Sequence, residues 1–231
     1  MDDTQDVQAR AAAARAAVDA AARVVGRDPA DVRMLLATKT QPLERVLAVA
    51  AAGHRLFGEN RVQEAVAKAP GLADVEHEMH FIGHLQGNKV NQLLPVISCL
   101  QTLDSLALAR RLDARLELLE RDLDVMVQVN VSGEDSKAGV PPEAAAELIA
   151  QVADLPRLRL RGLMTIGLNS PDRGAVRAGY RTLAELAAPL DVGGPVVLSM
   201  GMSGDFADAI AEGATMVRLG SAVFGARPPA S

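Results

Sequence analysis

Short apolar runs alternate with longer stretches of helical period along almost the whole chain. The first stretch, residues 4–26, is rich in alanine and sets Val18, Ala21, Val24 and Val25 at helical spacing before Gly26 and Pro29 close it, which predicts a leading helix. From there a strand-like run at 32–38 is followed by a helical pattern at 42–52, one at 55–58 by 62–68, and one at 80–83 by 89–94. The same order continues with 97–103 then 106–120, 125–131 then 142–153, 160–166 then 175–188, 196–199 then 206–212, and 216–224 as the closing run. Eight strands are therefore expected, and every one but the last has a helix behind it.

Strands separated by helices pair in parallel through right-handed crossovers, and eight of them predict an α/β fold, a single (β/α)8 TIM barrel over residues 1–231. The competitor is an open, doubly wound sheet. A dinucleotide-binding sheet needs a glycine-rich turn after its first strand, and Thr38-Lys39-Thr40-Gln41 stand there instead. The last helix is missing, because Pro228-Pro229-Ala230-Ser231 follow soon after the eighth run. The extra N-terminal helix is expected to take its place in the outer ring.

Composition narrows the function classes. At 231 residues and 49% hydrophobic the chain can bury one sizeable core, and no linker composition divides it. A net charge of -5, 2% aromatic residues and no block of Lys or Arg argue against nucleic acid as a partner. The one cysteine, Cys99, has no internal disulfide partner and sits in an apolar run, where it reads as a small buried hydrophobe. Asp2, Asp3 and Asp6 at the start resemble neither a signal nor a transit peptide, and no uncharged apolar run reaches membrane-spanning length. The cytoplasm is the expected compartment, with no membrane partner.

Barrels of this kind carry their chemistry at the C-terminal ends of the strands. Lys39 ends the first run there. An ammonium at the end of a buried strand is costly to keep charged, so its pKa is expected to fall and its amine to become a nucleophile toward aldehydes; the plain alternative is a lysine that snorkels to solvent. Gly58-Glu59-Asn60, Gly83-His84-Leu85-Gln86-Gly87-Asn88 and Asn130-Val131-Ser132-Gly133-Glu134 follow strands two, three and five. Late in the chain, Ser199-Met200-Gly201-Met202-Ser203-Gly204-Asp205 after strand seven and Arg218-Leu219-Gly220-Ser221-Ala222-Val223-Phe224-Gly225 around strand eight stand where barrels commonly hold phosphate; small residues that merely turn the chain are the other reading. A reactive lysine facing an anion cradle describes a phosphorylated aldehyde, for which pyridoxal 5'-phosphate (PLP) is the candidate. Arg218 is then the available partner for the ring nitrogen. An arginine keeps its proton, which leaves the cofactor a weaker electron sink than an aspartate would.

The ordered motifs Ala37-Thr38-Lys39-Thr40, Phe57-Gly58-Glu59-Asn60 with Gln63-Glu64, His80-Phe81-Ile82-Gly83 with Leu85-Gln86 and Asn88-Lys89, Val129-Asn130 with Ser136-Lys137-Ala138-Gly139, Arg161-Gly162-Leu163-Met164, Leu198-Ser199-Met200-Gly201-Met202-Ser203 and Val217-Arg218-Leu219-Gly220 span nearly the whole chain. In them the sequence resembles the YggS/PROSC family of pyridoxal phosphate homeostasis proteins, whose single domain is similar to the barrel of bacterial alanine racemase. The resemblance implies that Lys39 carries PLP as a Schiff base, that Ser203, Gly220 and Ser221 bind its phosphate, that Arg218 faces its ring nitrogen, and that Asn60 and Met200 line the ring pocket. It implies a role in PLP supply and in amino-acid and keto-acid balance without established turnover, with PLP-dependent apo-enzymes as recipients.

An amino-acid racemase of low activity is the alternative. Such enzymes add a second domain and a tyrosine base, whereas the one tyrosine here, Tyr180, falls in a helix of the outer ring. A class I Schiff-base aldolase is a third class. Lys137, on the loop after strand five, is on the same face as Lys39 and could accept PLP by transimination; a solvated loop lysine or a phosphate counter-ion are the other readings. His77, His80 and His84 are not expected to bind metal, because His80 and His84 fall at opposite ends of one strand. A monomer is expected.

Overall fold

The computed structural model describes residues 3–134 and 137–225, so Asp135 and Ser136 of the loop after strand five, and the closing Pro228-Pro229-Ala230-Ser231, lie outside it. In chain order the elements are α1 Asp3–Val24, β1 Arg33–Ala37, α2 Leu43–Ala51, β2 Leu56–Glu59, α3 Val62–Lys68, β3 Glu78–Phe81, α4 Val90–Leu93, β4 Cys99–Leu103, α5 Leu106–Leu118, β5 Leu123–Gln128, α6 Pro142–Ala153, β6 Leu158–Met164, α7 Arg173–Ala187, β7 Val197–Met202, α8 Phe206–Ala211, β8 Met216–Leu219 and α9 Ser221–Phe224. The strands form one closed parallel barrel in sequence order, β8 closing on β1 with Arg33 opposite Met216 and Leu36 opposite Leu219. The expected (β/α)8 barrel is thus the architecture found.

Alternation along each strand divides the core in two. Outward-facing residues such as Leu36, Phe57, Phe81, Leu100 and Val127 pack beneath the helices. Inward-facing Leu35, Leu56, Cys99, Met126, Met164 and Met216 fill the barrel's waist, so Cys99 is a buried hydrophobe as its apolar setting implied, and burial raises its thiol pKa. Polar side chains share the interior with them: His80, Gln101, Ser199 and Arg218 are buried there too.

Helix α1 fills the gap in the outer ring. Its buried residues Val7, Ala11, Ala14, Val18 and Ala22 recur every three or four positions, and small alanines let it lie close against α2, α8 and α9. Gln8 Nε2 donates to the Ala48 carbonyl on α2 at 2.9 Å, and Arg27 Nη1 donates to the Ala214 carbonyl behind α8 at 2.7 Å. No helix among the described residues is long and apolar enough to cross a membrane.

Two expectations need correction. The run 216–224 is not one strand: β8 stops at Leu219 and the chain winds into α9, where Val223 and Phe224 are buried on a helical turn rather than by strand alternation. An apolar run this short does not distinguish the two periods. Strand β3 begins at Glu78, two residues earlier than the apolar pattern indicated, so His80 lies inside the strand and its ring is buried in the barrel, whereas the His84 side chain is exposed beside Asp104.

Candidate functional site

The end of β1 is clamped on both sides of Lys39. Thr38 is fully buried, its amide donating to the Gly58 carbonyl at 2.9 Å and its hydroxyl to Glu59 Oε1 at 2.6 Å. Lys68, at the end of α3, reaches under the same residue: its Nζ donates to the Thr38 carbonyl at 2.8 Å and to Glu59 Oε1 at 2.5 Å. Burial pushes the Glu59 carboxyl above the usual range, opposed by the bonds from Lys68 and Thr38. On the other side Thr40 has φ +63°, a left-handed conformation that costs a β-branched residue roughly 1–3 kcal/mol. Its amide donates to Glu64 Oε2 at 2.5 Å, which holds the residue there. Lys39 itself is half-buried and lines a cavity at the barrel mouth.

That cavity measures about 470 Å³, within the range of small-molecule sites. Ala37, Lys39 and Ile82 line it together with Ser203, Gly204, Gly220 and Ser221 from the neighbouring loops after β7 and β8, with Arg218 in the wall. The Arg218 guanidinium is buried and tied to neutral oxygens: Nη1 donates to the Ser199 carbonyl at 2.7 Å and to Ser199 Oγ at 2.8 Å, and Nη2 donates to the Thr165 carbonyl at 2.7 Å. Burial lowers its pKa to about 10, so it stays charged at neutral pH. Nε takes no part in these bonds.

The loops after β7 and β8 are knitted to each other. Ser203 Oγ accepts the amides of Gly220 at 3.3 Å and Ala222 at 3.2 Å. Asp205 Oδ1 accepts the Met202 amide at 2.6 Å and its Oδ2 accepts the Tyr180 hydroxyl at 2.8 Å. Tyr180, on α7, is fully buried and its pKa is raised by burial first and by Asp205 next. Gly201 makes the irregularity near the end of β7 possible: its φ is +89°, and a Cβ there would sit 2.6 Å from Ala209 Cβ.

Of the residues singled out in the sequence, Lys39, Ser203, Arg218, Gly220 and Ser221 come together around one cavity. Asn60 and Met200, expected at the ring pocket, do not line it. On β7, Ser199 points into the barrel, so Met200 turns outward and is buried beneath the helices. Asn60 is half-buried below Gly83, whose Cβ would fall 2.1 Å from the Asn60 carbonyl oxygen; its own Oδ1 is buried without a hydrogen-bond partner among the described residues. Lys137 also lies off the cavity. Its Nζ donates to Glu134 Oε1 at 2.6 Å and to the Gly167 carbonyl at 3.0 Å, tethering the loop after β5 to the loop after β6. Sequence reasoning missed Lys68 and the Tyr180–Asp205 pair; the one signal for the first was an acid, Glu59, ending a wholly apolar strand.

Residues 11–228 match the family model described as alanine racemase, N-terminal domain. A pyridoxal phosphate homeostasis protein of Pseudomonas aeruginosa is 46% identical over 90% of each chain, and one of Escherichia coli is 41% identical over 96% of this chain and 97% of its own. PipY of Synechococcus elongatus, solved with PLP bound, superposes with a TM-score of 0.81 at 32% identity over 95% of this chain and all of its own. An alanine racemase of Clostridium difficile shares the fold at a TM-score of 0.74 and 14% identity, with 97% of this chain covering 56% of that one. By sequence over nearly its full length, and by fold, the chain belongs to the family of pyridoxal phosphate homeostasis proteins.

Proposed function

We propose that the chain binds pyridoxal 5'-phosphate through Lys39 and serves to hold and release it rather than to turn over a substrate. The observation that carries this reading is the grouping of an amine, a buried guanidinium and a hydroxyl-and-amide loop around one cavity. The residues fit the cofactor's three chemical ends: Lys39 meets an aldehyde, Ser203, Gly220 and Ser221 meet a phosphate, and Arg218 meets a ring nitrogen. The PLP reported with PipY and the names of the curated relatives support the same ligand. When bound, PLP supplies an aldehyde that condenses with an amine and a ring that withdraws electrons. Arg218 limits that withdrawal, because a guanidinium that stays charged donates a hydrogen bond and gives no proton to the ring.

Racemase-like turnover is the second reading, raised by the alanine racemase fold. Tyr180 weighs against it, since its hydroxyl is committed to Asp205 and lies off the cavity lining. PLP-dependent apo-enzymes are the recipients we infer, with Lys137 as an acceptor once its pairing with Glu134 opens. Absorption spectra decide the main point. The wild-type chain incubated with PLP is expected to show a visible band that borohydride removes, and Lys39→Ala to show none. No band in the wild type overturns the proposal, and Lys39-dependent isomerisation of L-alanine at enzymatic rates replaces it with the second reading.

A further inference from the structure

A single file of polar side chains crosses the barrel's interior from its floor to the cavity at its mouth. At the floor, Glu78 is half-exposed: its Oε1 accepts Arg33 Nη2 at 2.6 Å and its Oε2 faces His80 Nε2 at 3.4 Å. His80 Nδ1 lies 2.7 Å from Gln101 Nε2, Ser199 Oγ donates to Gln101 Oε1 at 2.6 Å, and Arg218 Nη1 donates to Ser199 Oγ at 2.8 Å. His80, Gln101, Ser199 and Arg218 are all buried, so water does not compete for these bonds.

The direction of every hydrogen in this file follows from its two ends. A carboxylate only accepts, so His80 turns its Nε2–H toward Glu78; a neutral imidazole then has a bare Nδ1, and Gln101 must present its amide nitrogen there and its oxygen to Ser199. A guanidinium only donates, so Ser199 Oγ accepts from Arg218 and sends its own hydrogen to an oxygen of Gln101. The two ends demand the same orientation of Gln101. A second proton on His80 destroys that agreement, since Nδ1–H would meet the Gln101 amide hydrogens and force the amide to rotate, taking from Ser199 the acceptor of its hydrogen.

We propose that His80, Gln101 and Ser199 are positioning residues for Arg218, forming a directional hydrogen-bond chain that aims the guanidinium at the ring of bound PLP and that protonation of His80 breaks. Facing the imidazole are Glu78 on its own strand, Arg33 from β1, Cys99 from β4, Asp124 from β5 and Arg161 from β6. Burial holds His80 below the usual histidine range, against the pull of Glu78, which keeps the chain intact at neutral pH. The cofactor end of this inference rests on the PLP reading above; the directional chain does not.

Two arms test it. In the protein without PLP, long-range proton–nitrogen NMR of the imidazoles at pH 7 is expected to show His80 as the neutral Nε2–H tautomer, and the Nδ1–H tautomer overturns the chain. With PLP, Gln101→Leu is expected to weaken binding by about tenfold, because Ser199 loses the acceptor that fixes its lone pair on Arg218, and to abolish the acid-side step that His80 protonation gives the visible spectrum. Ser199→Ala is expected to do the same should Gln101→Leu not fold. Wild-type affinity and an unchanged spectral pH profile in either folded variant overturn the proposal. A wild type that takes up no PLP sinks the functional reading instead, and the tautomer still decides the chain.

Discussion

The paired arginines at the floor of the barrel and the lone Arg218 guanidinium at its mouth use charge oppositely. At the floor a group of arginines meets carboxylates: Arg33 pairs with Glu78 at 2.6 Å, Arg159 and Arg161 with Asp124 at 2.7 and 3.0 Å, and Arg157 with Glu117 at 2.7 Å. These pairs link neighbouring strands and helices, are at least partly exposed, and cancel their own charge. At the mouth, Arg218 is buried against carbonyl and hydroxyl oxygens, so its charge is held in place without a contacting carboxylate. The difference separates cohesion from function: a cancelled charge staples the barrel, while a charge held by neutral oxygens acts on whatever enters the cavity.

Three substitutions probe that contrast, the largest effect first. Lys68→Met leaves Glu59 charged and unpaired under β1, and is expected to cost about 3–5 kcal/mol in denaturant unfolding. Adding Glu59→Gln should recover much of it, because the uncompensated charge goes. Tyr180→Phe removes one buried bond to Asp205 and is expected to cost about 1–1.5 kcal/mol, with a several-fold weaker uptake of PLP as the loop after β7 loosens, read by unfolding and by titration. At the floor, Glu78→Gln should cost about 1 kcal/mol or less at neutral pH. The Glu78 carboxyl is lowered from 4.5 to about 2 by its bonds to His80 and Arg33. Between those values the unfolded chain binds more protons than the folded one, so stability falls as pH falls through that window, and Glu78→Gln should flatten the slope in unfolding measured from pH 5 to pH 3. A floor substitution costlier than Lys68→Met would break the contrast.

Much of this was readable from residue order. The helix–strand alternation marked the barrel, the uncommitted leading helix marked the gap it fills, and Lys39, Ser203, Arg218, Gly220 and Ser221 were grouped by their positions at or just past the C-terminal ends of strands. That Met200 faces outward was not readable, because the side a strand residue faces depends on the register and bulge of β7, which motif spacing does not carry. Lys68 was unreadable for a related reason. A lysine ending a helix ordinarily points to water, and only the packing of α3 against β2 buries this one against Glu59.

The sequence by itself determined the barrel, its mouth and the chemical kinds of group that gather there, because strand and helix periods and strand-end positions are local properties of the chain. What the tertiary structure alone decided is how those groups are held. Thr40 in its left-handed conformation, the buried Lys68–Glu59 pair and the file from Glu78 to Arg218 join residues on different elements, and their energies arise from burial and hydrogen-bond direction, which exist only once the barrel has closed.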